Sequence, residues 1–260
     1  MPHVLRRAAL CLVAVLAGAC GRPGAPEPVP PGPGVVPDFP AVDGPAKSDA
    51  LYRLDPGASE LRLLVYRGGP LARFGHDHVI HHVAMDGMIR VPPAWTGARA
   101  DIVVPVADFI VDERVRRAEA GFDTQPTDAD IAGTRDNMLG PHVLDAKRFP
   151  FVRIRVQGVA GQLPHVDAAL AIMVGDTMAR KTVPAEVALS ACELRVSSVF
   201  SLRQAELGLT PFSVLGGALR VAEQIDVSLD MRAGRVDGPD ACGNPQATAT
   251  LSALTIPMSH

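Results

Sequence analysis

Aromatic residues and surplus basic charge are both scarce in this sequence. Its 260 residues include only eight Phe, two Tyr and one Trp, so a core must be built mainly from Val, Leu, Ile, Ala and Met. The formal net charge is -3 at pH 7 and the Lys and Arg residues are scattered. This distribution excludes the basic footprint of a nucleic-acid-binding protein.

Sequence motifs of catalysis are also missing. We find no nucleophile elbow, no phosphate-binding loop and no helix with paired zinc-binding histidines. The acidic segment TDADIAGTRD, residues 127–136, lacks the glycine and glutamate positions of a calcium-binding hand. We therefore expect a protein that is not an enzyme and has no cofactor.

The N-terminus has the pattern of an export signal. Arg6 and Arg7 precede AALCLVAVLAGA, an apolar run too short to span a bilayer as a permanent helix. The segment LAGAC resembles a bacterial lipobox, which predicts a signal peptide over residues 1–19 and a lipidated Cys20. Ordinary cleavage after AGA, with Cys20 incidental, is the alternative. Lipidation would anchor the chain in the bacterial cell envelope, facing the periplasm.

Proline and glycine divide the rest of the chain. Nine of the 24 prolines lie between Cys20 and Asp49, so residues 20–48 are predicted to be an extended linker. Residues 49–233 are long enough for a single barrel domain, and residues 234–260 form a C-terminal tail. A homodimer of this domain is compatible with the sequence.

Cysteine is rare in the exported part of the chain. Of four cysteines, Cys11 is lost with the signal and Cys20 is the lipidation candidate. Cys192 and Cys242 are left as a candidate disulfide in an oxidising compartment. One buried thiol and one thiol in a loose tail is equally compatible with their spacing.

Alternating β-branched segments dominate the domain, as expected for half-buried antiparallel strands. They cover residues 59–67, 100–111, 149–159, 166–174, 183–194, 195–207 and 224–232. The exception is TDADIAGTRDNML, residues 127–139, which begins with Thr127 and Asp128 as capping residues and ends near Gly140. We predict a short helix in a connection between strands.

Three segments of the domain resemble the YceI family of exported proteins. They are YRLDPGASELRLLVYR, DIAGTRDNMLGPHVLDAKRFPFVRIRV and LTPFSVLGGALRVAEQIDVSLDMRA, and the most specific is the helix followed by VLDAKRFPFVRI. The resemblance covers residues 51–233. It implies an all-β fold, an eight-stranded antiparallel lipocalin-like barrel, whose lumen binds a polyisoprenoid or similar amphiphilic lipid. A barrel of this size is either packed solid or open to one small ligand, and the sequence leaves both readings open.

Four of the eight histidines lie in GHDHVIHH, residues 75–82. On a strand, His76, His78 and His82 would share one face, opposite Asp77 and His81. Because neighbouring residues point to opposite faces, Asp77 cannot readily orient His76 or His78 as a catalytic base.

The histidines of this cluster have three interpretations. They hydrogen-bond the barrel rim, they orient the polar head of a ligand such as a quinone carbonyl or a phosphate, or they bind a metal ion. The candidate ligand-binding residues are Phe74, His76, His78, Met138, Phe149 and Phe212, and the candidate metal ligands are His76, His78 and His82. The leading functional hypothesis is a membrane-tethered lipid carrier, and the alternative is a metal-binding protein or metal-dependent enzyme.

Overall fold

The structure, a computed structural model, describes residues 46, 48–237 and 242. The predicted signal peptide, Cys20 and most of the predicted linker and tail lie outside these residues. The described part contains twelve strands and two α-helices. These are β1 Ala50–Leu54, β2 Glu60–Gly68, β3 His78–His82, β4 Asp86–Val91, β5 Arg99–Pro105, β6 Ile110–Val111, α1 Arg114–Glu119, α2 Asp128–Leu139, β7 Phe151–Gln162, β8 His165–Val174, β9 Thr177–Leu189, β10 Glu193–Arg203, β11 Ser213–Val214 and β12 Leu219–Arg235.

The strands of the described chain form a closed eight-stranded antiparallel barrel. Several barrel strands are broken into two segments. β1 and β2 lie end to end along β12, and their neighbours β3 and β4 are arranged in the same way. β5 and β6 follow, then β7, β8, β9 and β10, and β10 pairs with β12 to close the ring. The all-β, lipocalin-like barrel predicted from the sequence is confirmed.

Local sequence explains the strand breaks. Between β1 and β2, the side chain of Asp55 accepts a hydrogen bond from the Gly57 amide at 3.0 Å, and Pro56 begins a short 3-10 turn. Pro105 ends β5 before a second such turn at Val106–Asp108. Proline has no amide hydrogen to continue a ladder. These turns bend the strands around the barrel without changing the strand order.

Most predicted strands occur near their expected positions, and the differences concern turns. Residues 183–194 were predicted as one strand, but β9 ends at Leu189 because Ser190 forms a tight turn in which its backbone and side chain bond Glu193. The predicted strand over residues 195–207 ends earlier, in a 3-10 turn at Gln204–Leu207. The predicted strands also omit β1 and β4, and β12 continues past residue 233 to Arg235.

The predicted helix is confirmed as α2. Thr127 is its N-cap, accepts a hydrogen bond from the Asp130 amide and completes a capping box with the Asp130 side chain. Such a box satisfies amides that the first turn leaves unpaired. Gly140 ends the helix. Within the described residues, we find no helix that is both long and apolar enough to cross a membrane.

The packed core occupies the side of the barrel built from β1, β4 and β5. Tyr52, Leu54, Ile89, Ile102 and Val104 are all buried there, and none of them lines the cavity described below. Side chains of a strand alternate between its two faces. The same alternation continues on the remaining strands, where the inward residues face an open space.

β9 and β10 are joined over only part of their lengths. The described ladder runs from Leu194 opposite Leu189 to Ser197 opposite Glu186. Beyond it, residues 177–185 of β9 pair only with β8, and residues 198–203 of β10 pair only with β12. We call this unpaired stretch the β9–β10 seam. Side chains bridge it: Ser198 Oγ donates to the Pro184 carbonyl at 2.6 Å, and Lys181 forms an ion pair with Glu206 at 3.1 Å.

The C-terminal end of the barrel carries a disulfide bond. Cys192, in the turn after β9, is joined to Cys242, and their Cα atoms are 5.5 Å apart. The bond connects the turn to a residue beyond the last strand. The Arg235 amide also donates to the Cys192 carbonyl at 2.9 Å, so this turn is bonded both to the last strand and to Cys242 beyond it.

Candidate functional site

The barrel encloses a cavity of about 610 Å³ whose wall is mostly apolar. Inward-facing residues of β2, β7, β8, β10 and β12 provide most of that wall. They include Leu61, Leu63, Val65, Val152, Ile154, Val156, Ala168, Leu170, Ile172, Val196, Phe200, Leu202, Val227, Leu229 and Met231. The lumen is therefore open rather than filled, which the sequence alone left undecided.

The polar residues of the wall are concentrated at one end of the barrel. At this end β2 and β10 finish and β3 and β12 begin, and residues of α2 complete the lining. We call it the helix end. Its polar lining residues are Arg67, His76, His78, Asp130, Thr134, Asn137, Gln204 and Arg220. Ser198 is the remaining polar residue of the described lining, and its hydroxyl is already bonded to the Pro184 carbonyl.

The structure brings five of the six predicted ligand-binding residues to this cavity. Phe74, His76, His78, Met138 and Phe212 line it. Phe74 is 63% exposed and therefore lies at the solvent-facing edge of the cavity.

Phe149, the sixth, is not among the lining residues, so the structure does not bring it together with the other five. It precedes β7, its ring carbons would lie 3.6 to 3.9 Å from a Cβ added at Gly175, and the guanidinium of Arg148 stacks on it at 4.9 Å from the ring centroid. Phe149 thus packs at the corner before the strand, outside the inward alternation of β7.

His76 and His78 lie side by side in the cavity wall, with ring centroids 6.4 Å apart. β3 begins only at His78, so His76 belongs to the segment before the strand rather than to the strand itself. Nδ1 of His76 is buried and has no hydrogen-bond partner among the described residues. A buried polar atom of this kind costs free energy unless a ligand or water satisfies it.

His78 is held from behind by a buried carboxylate. Its Nδ1 lies 2.6 Å from Oδ2 of Asp112, whose side chain is fully buried. Asp112 follows β6 and adopts a left-handed backbone conformation with φ of 55°. Aspartate tolerates this conformation better than most residues, although it is uncommon outside glycine. The Val79 amide donates to the other carboxylate oxygen at 3.0 Å.

Arg117 of α1 balances the charge of Asp112. Its Nη1 lies 2.6 Å from Oδ1 of Asp112, and its side chain is 1% exposed. The guanidinium also donates to the carbonyls of Asp77 and Thr124 and stacks on the ring of Phe122 at 5.5 Å from the centroid. This arrangement joins α1, β3 and the residue after β6 in one buried network.

The network keeps Asp112 ionised. Burial by itself raises the pKa of this carboxyl, but hydrogen bonds from His78, Arg117 and the Val79 amide, together with the positive charge that His78 has when protonated, outweigh burial and lower its pKa below the ordinary value. An ionised carboxylate only accepts hydrogen bonds. Nδ1 of His78 must therefore carry a proton and donate it to Asp112.

Neither His81 nor His82 joins the pair in the cavity wall. His82 is completely buried, its Nε2 bonds the Pro105 carbonyl at 2.9 Å, and its Nδ1 accepts from the Ala84 amide. Burial lowers its pKa, because it penalises the charged ring. Nε2 of His81 lies 3.4 Å from Oε2 of Glu113.

The predicted metal site of His76, His78 and His82 is consequently not assembled, since both ring nitrogens of His82 already have partners. Across the described residues, no group of three or more His, Cys, Asp and Glu side chains is placed to hold a metal ion.

Asp77 orients neither of the cavity histidines, and because it precedes β3, strand alternation is not the reason. Its carboxylate accepts from the Arg67 amide at 2.8 Å and pairs with the Arg67 side chain at 3.5 Å. The carboxylate that does orient His78, Asp112, was missed by the sequence reading. It lies 34 positions along the chain, and only the pairing of β6 with β3 brings it close.

Fold and site together define a class: an eight-stranded lipocalin-like barrel that encloses an apolar cavity with polar groups at one end. Neither a family model nor a curated protein matches the chain. Among solved structures, BcnA of Burkholderia cenocepacia matches with a TM-score of 0.51 and 12% identity, over 69% of this chain and 98% of BcnA. This likeness shows a shared fold.

Two further structures match less closely. A polyisoprenoid-binding domain from Saccharophagus degradans has a TM-score of 0.47 and 13% identity, over 71% of this chain and 98% of that domain. The YCEI protein of Campylobacter jejuni has a TM-score of 0.42 and 11% identity, over 58% of this chain and 80% of its own.

Proposed function

We propose that this protein binds a polyisoprenoid or a similar amphiphilic lipid inside its barrel, as a carrier or sequestering protein of the cell envelope. One observation carries the proposal: a 610 Å³ cavity has an apolar wall and collects its polar groups at one end. An amphiphilic lipid has the matching shape, with a long apolar tail and a single polar head.

Burial of the tail supplies the binding free energy. Each CH₂ group removed from water contributes about 0.8 kcal/mol, so a tail of several isoprene units binds strongly even after the cost of ordering it. The wall consists mainly of aliphatic side chains, and Phe200 of β10 adds an aromatic ring to it. Aliphatic walls of this kind provide dispersion contacts all along a tail.

A cavity-filling substitution tests this proposal. Ala168 of β8 lines the cavity, whereas its neighbour Ala169 does not, because successive strand residues face opposite sides. Ala168→Phe should occupy the lumen and reduce the amount of prenyl lipid that co-purifies or is taken up, and Ala169→Phe should bind as the wild type does. Native mass spectrometry of each protein, incubated with a C20 prenyl alcohol, measures the bound fraction. Equal uptake by both variants would contradict lipid binding in the lumen.

The two cavity histidines belong to the same proposal. His76 and His78 would set the position of the polar head, because a polar group left unpaired in an apolar lumen costs roughly 1 to 3 kcal/mol. Replacing both with alanine should weaken lipid retention by about one to two powers of ten. The barrel should stay folded, because backbone ladders hold the strands.

Export and membrane tethering complete the proposed function. They are supported by the charged and apolar N-terminal segment and by LAGAC, residues 16–20. A proline-rich linker of the predicted length would hold the barrel away from the membrane surface while keeping it close to a source of lipid.

A further inference from the structure

The chemistry of the polar head follows from how His78 is held, given the lipid-binding function proposed above, on which this inference rests. Nδ1 of His78 donates to the buried carboxylate of Asp112 at 2.6 Å. That leaves Nε2 as the ring nitrogen outside this pair, on a residue that lines the cavity. Fixing the role of one ring nitrogen determines the role of the other.

The charge of the network decides whether Nε2 accepts or donates. Asp112 is already neutralised by Arg117, which contacts its other oxygen at 2.6 Å and is itself buried. The single proton on Nδ1 already satisfies the contact with Asp112, so the carboxylate requires no second proton on the ring. The neutral ring, with Nδ1 protonated, presents Nε2 as a hydrogen-bond acceptor.

The surrounding charges are mostly paired elsewhere. Arg67 pairs with Asp77 at 3.5 Å and with Asp123 at 3.0 Å. Asp130 of α2 accepts hydrogen bonds from the Thr127 amide and hydroxyl in the capping box. Thr134, Asn137 and Arg220 also line this end, and among the lining groups the acceptor atom of His78 and the buried, unpartnered Nδ1 of His76 lie on neighbouring rings that face one ligand head.

We propose that the bound lipid ends in a hydroxyl group, which donates its proton to Nε2 of His78 and lies within reach of His76. Asp112 and Arg117 are positioning residues: they touch no ligand but hold His78 in the accepting tautomer. A hydroxyl both donates and accepts, so it satisfies a pair of imidazoles. A carbonyl or ether oxygen only accepts and leaves Nε2 without a partner, and a fully ionised anionic head likewise offers Nε2 no proton.

Three probes with the same tail and different polar heads test which head group the site prefers. Geranylgeraniol, its methyl ether and its monophosphate are offered to the full chain and to variants, and dissociation constants are measured by displacement of a fluorescent apolar probe. The wild type should bind the alcohol about tenfold more tightly than the ether, since the ether cannot donate. His78→Leu should reduce this preference to about one. His165→Leu, at an exposed position of β8, is the matched control and should keep it.

Asp112→Asn tests the positioning role. Asparagine tolerates the same left-handed backbone, but its amide group can reverse the tautomer of His78, so the preference for alcohol over ether should fall severalfold. If Asp112 only stabilised the fold, this variant would melt at a lower temperature and retain the full preference. Should Asp112→Asn fail to fold, His78→Leu alone decides the head-group assignment.

Three results would overturn the inference. Equal binding of alcohol and ether by the wild type would show that no hydroxyl donor is recognised, and tighter binding of the phosphate would identify an anionic head. An unchanged preference in His78→Leu would place recognition elsewhere. In each of these cases the tail still binds and the proposed lipid-binding function stands. If no probe binds at all, both proposals fail together.

Discussion

At the residue scale, the most consequential contact is the buried pair of Asp112 and Arg117. Both side chains are at most 1% exposed, and His78 completes the group. A buried ion pair costs much of what it gains, yet removing one member leaves an uncompensated charge in the interior. The pair therefore makes a small net contribution while it is intact and causes a large loss when it is broken.

Arg117→Met should lower the free energy of unfolding by about 3 to 5 kcal/mol, because Asp112 then lies buried without its counter-charge. The matched control is Arg114→Met in the same helix, where the side chain is 84% exposed. That variant should change stability by no more than about 0.5 kcal/mol. Urea denaturation of both variants is the measurement, and similar losses would show that the Arg117 pair has no special role.

Stability should also depend on pH through Asp112. Its pKa is lowered in the folded protein, so the folded state binds fewer protons than the unfolded chain, where aspartate titrates near about 3.9. The stabilisation is present above that pH and is lost as pH falls through the folded pKa. Unfolding free energies between pH 7 and 2.5 should fall less steeply in Asp112→Asn than in the wild type. Identical slopes would show that Asp112 is not the titrating group.

At the scale of elements, the β9–β10 seam is a weak join of the barrel, with four paired residues at one end of two long strands. Pro184 lies in β9 two residues beyond Glu186, where the β9–β10 ladder stops. Proline has no amide hydrogen with which the ladder could continue. The seam is held by side-chain contacts such as Lys181 with Glu206, an ion pair that is partly exposed. Exposed pairs contribute little to stability, so this region should open more readily than the paired strands.

Hydrogen exchange measures that difference. In residues 177–185 of β9, amides directed at β8 are in a ladder and those directed at the seam are not. Alternate amides of this stretch should exchange at markedly different rates. β8 is the control, because its residues 165–173 have strand neighbours on both sides and both sets of amides should be slow. Uniform protection along β9 would show that the seam is closed in solution.

At the scale of the whole molecule, two cysteine features concern the segments that flank the barrel. The disulfide between Cys192 and Cys242 spans 50 positions of the chain. The predicted lipidation site, Cys20, lies outside the described residues. The first restricts the unfolded chain, and the second would determine where the folded domain is found.

Reduction of the disulfide should destabilise the protein by about 2 to 4 kcal/mol, since the closed loop limits the unfolded ensemble. Thermal unfolding with and without reductant measures the effect, and Cys242→Ser should show no response to reductant. Peptide mapping without reductant checks the bond directly. Two alkylatable thiols in freshly isolated protein would contradict the pairing.

Cys20→Ser should release the protein from the membrane fraction and abolish labelling with a radioactive fatty acid, because the thiol is the proposed acceptor of the lipid. Cys192→Ser is the control and should remain membrane-bound and labelled. A Cys20→Ser protein that fractionates and labels like the wild type would exclude the lipoprotein interpretation.

Local sequence determined much of this architecture. Period-two alternation predicted β7, β8 and most of β12, because a strand with one buried face must place apolar residues at every second position. Capping residues predicted α2, because Thr127 satisfies amides within its own first turn. These features depend on neighbours in sequence, so the sequence contains their cause.

Tertiary structure alone decided the rest. Whether the lumen is open depends on barrel diameter and side-chain volumes summed over many strands, and no local pattern records that sum. His82 does not join His76 and His78 as a metal ligand, because the Pro105 carbonyl and the Ala84 amide already bond its two ring nitrogens. Asp112 became the partner of His78 only when β6 paired with β3. Contacts between residues distant in sequence arise from chain topology, and this is the physical reason that the chemistry of the cavity could not be derived from the sequence alone.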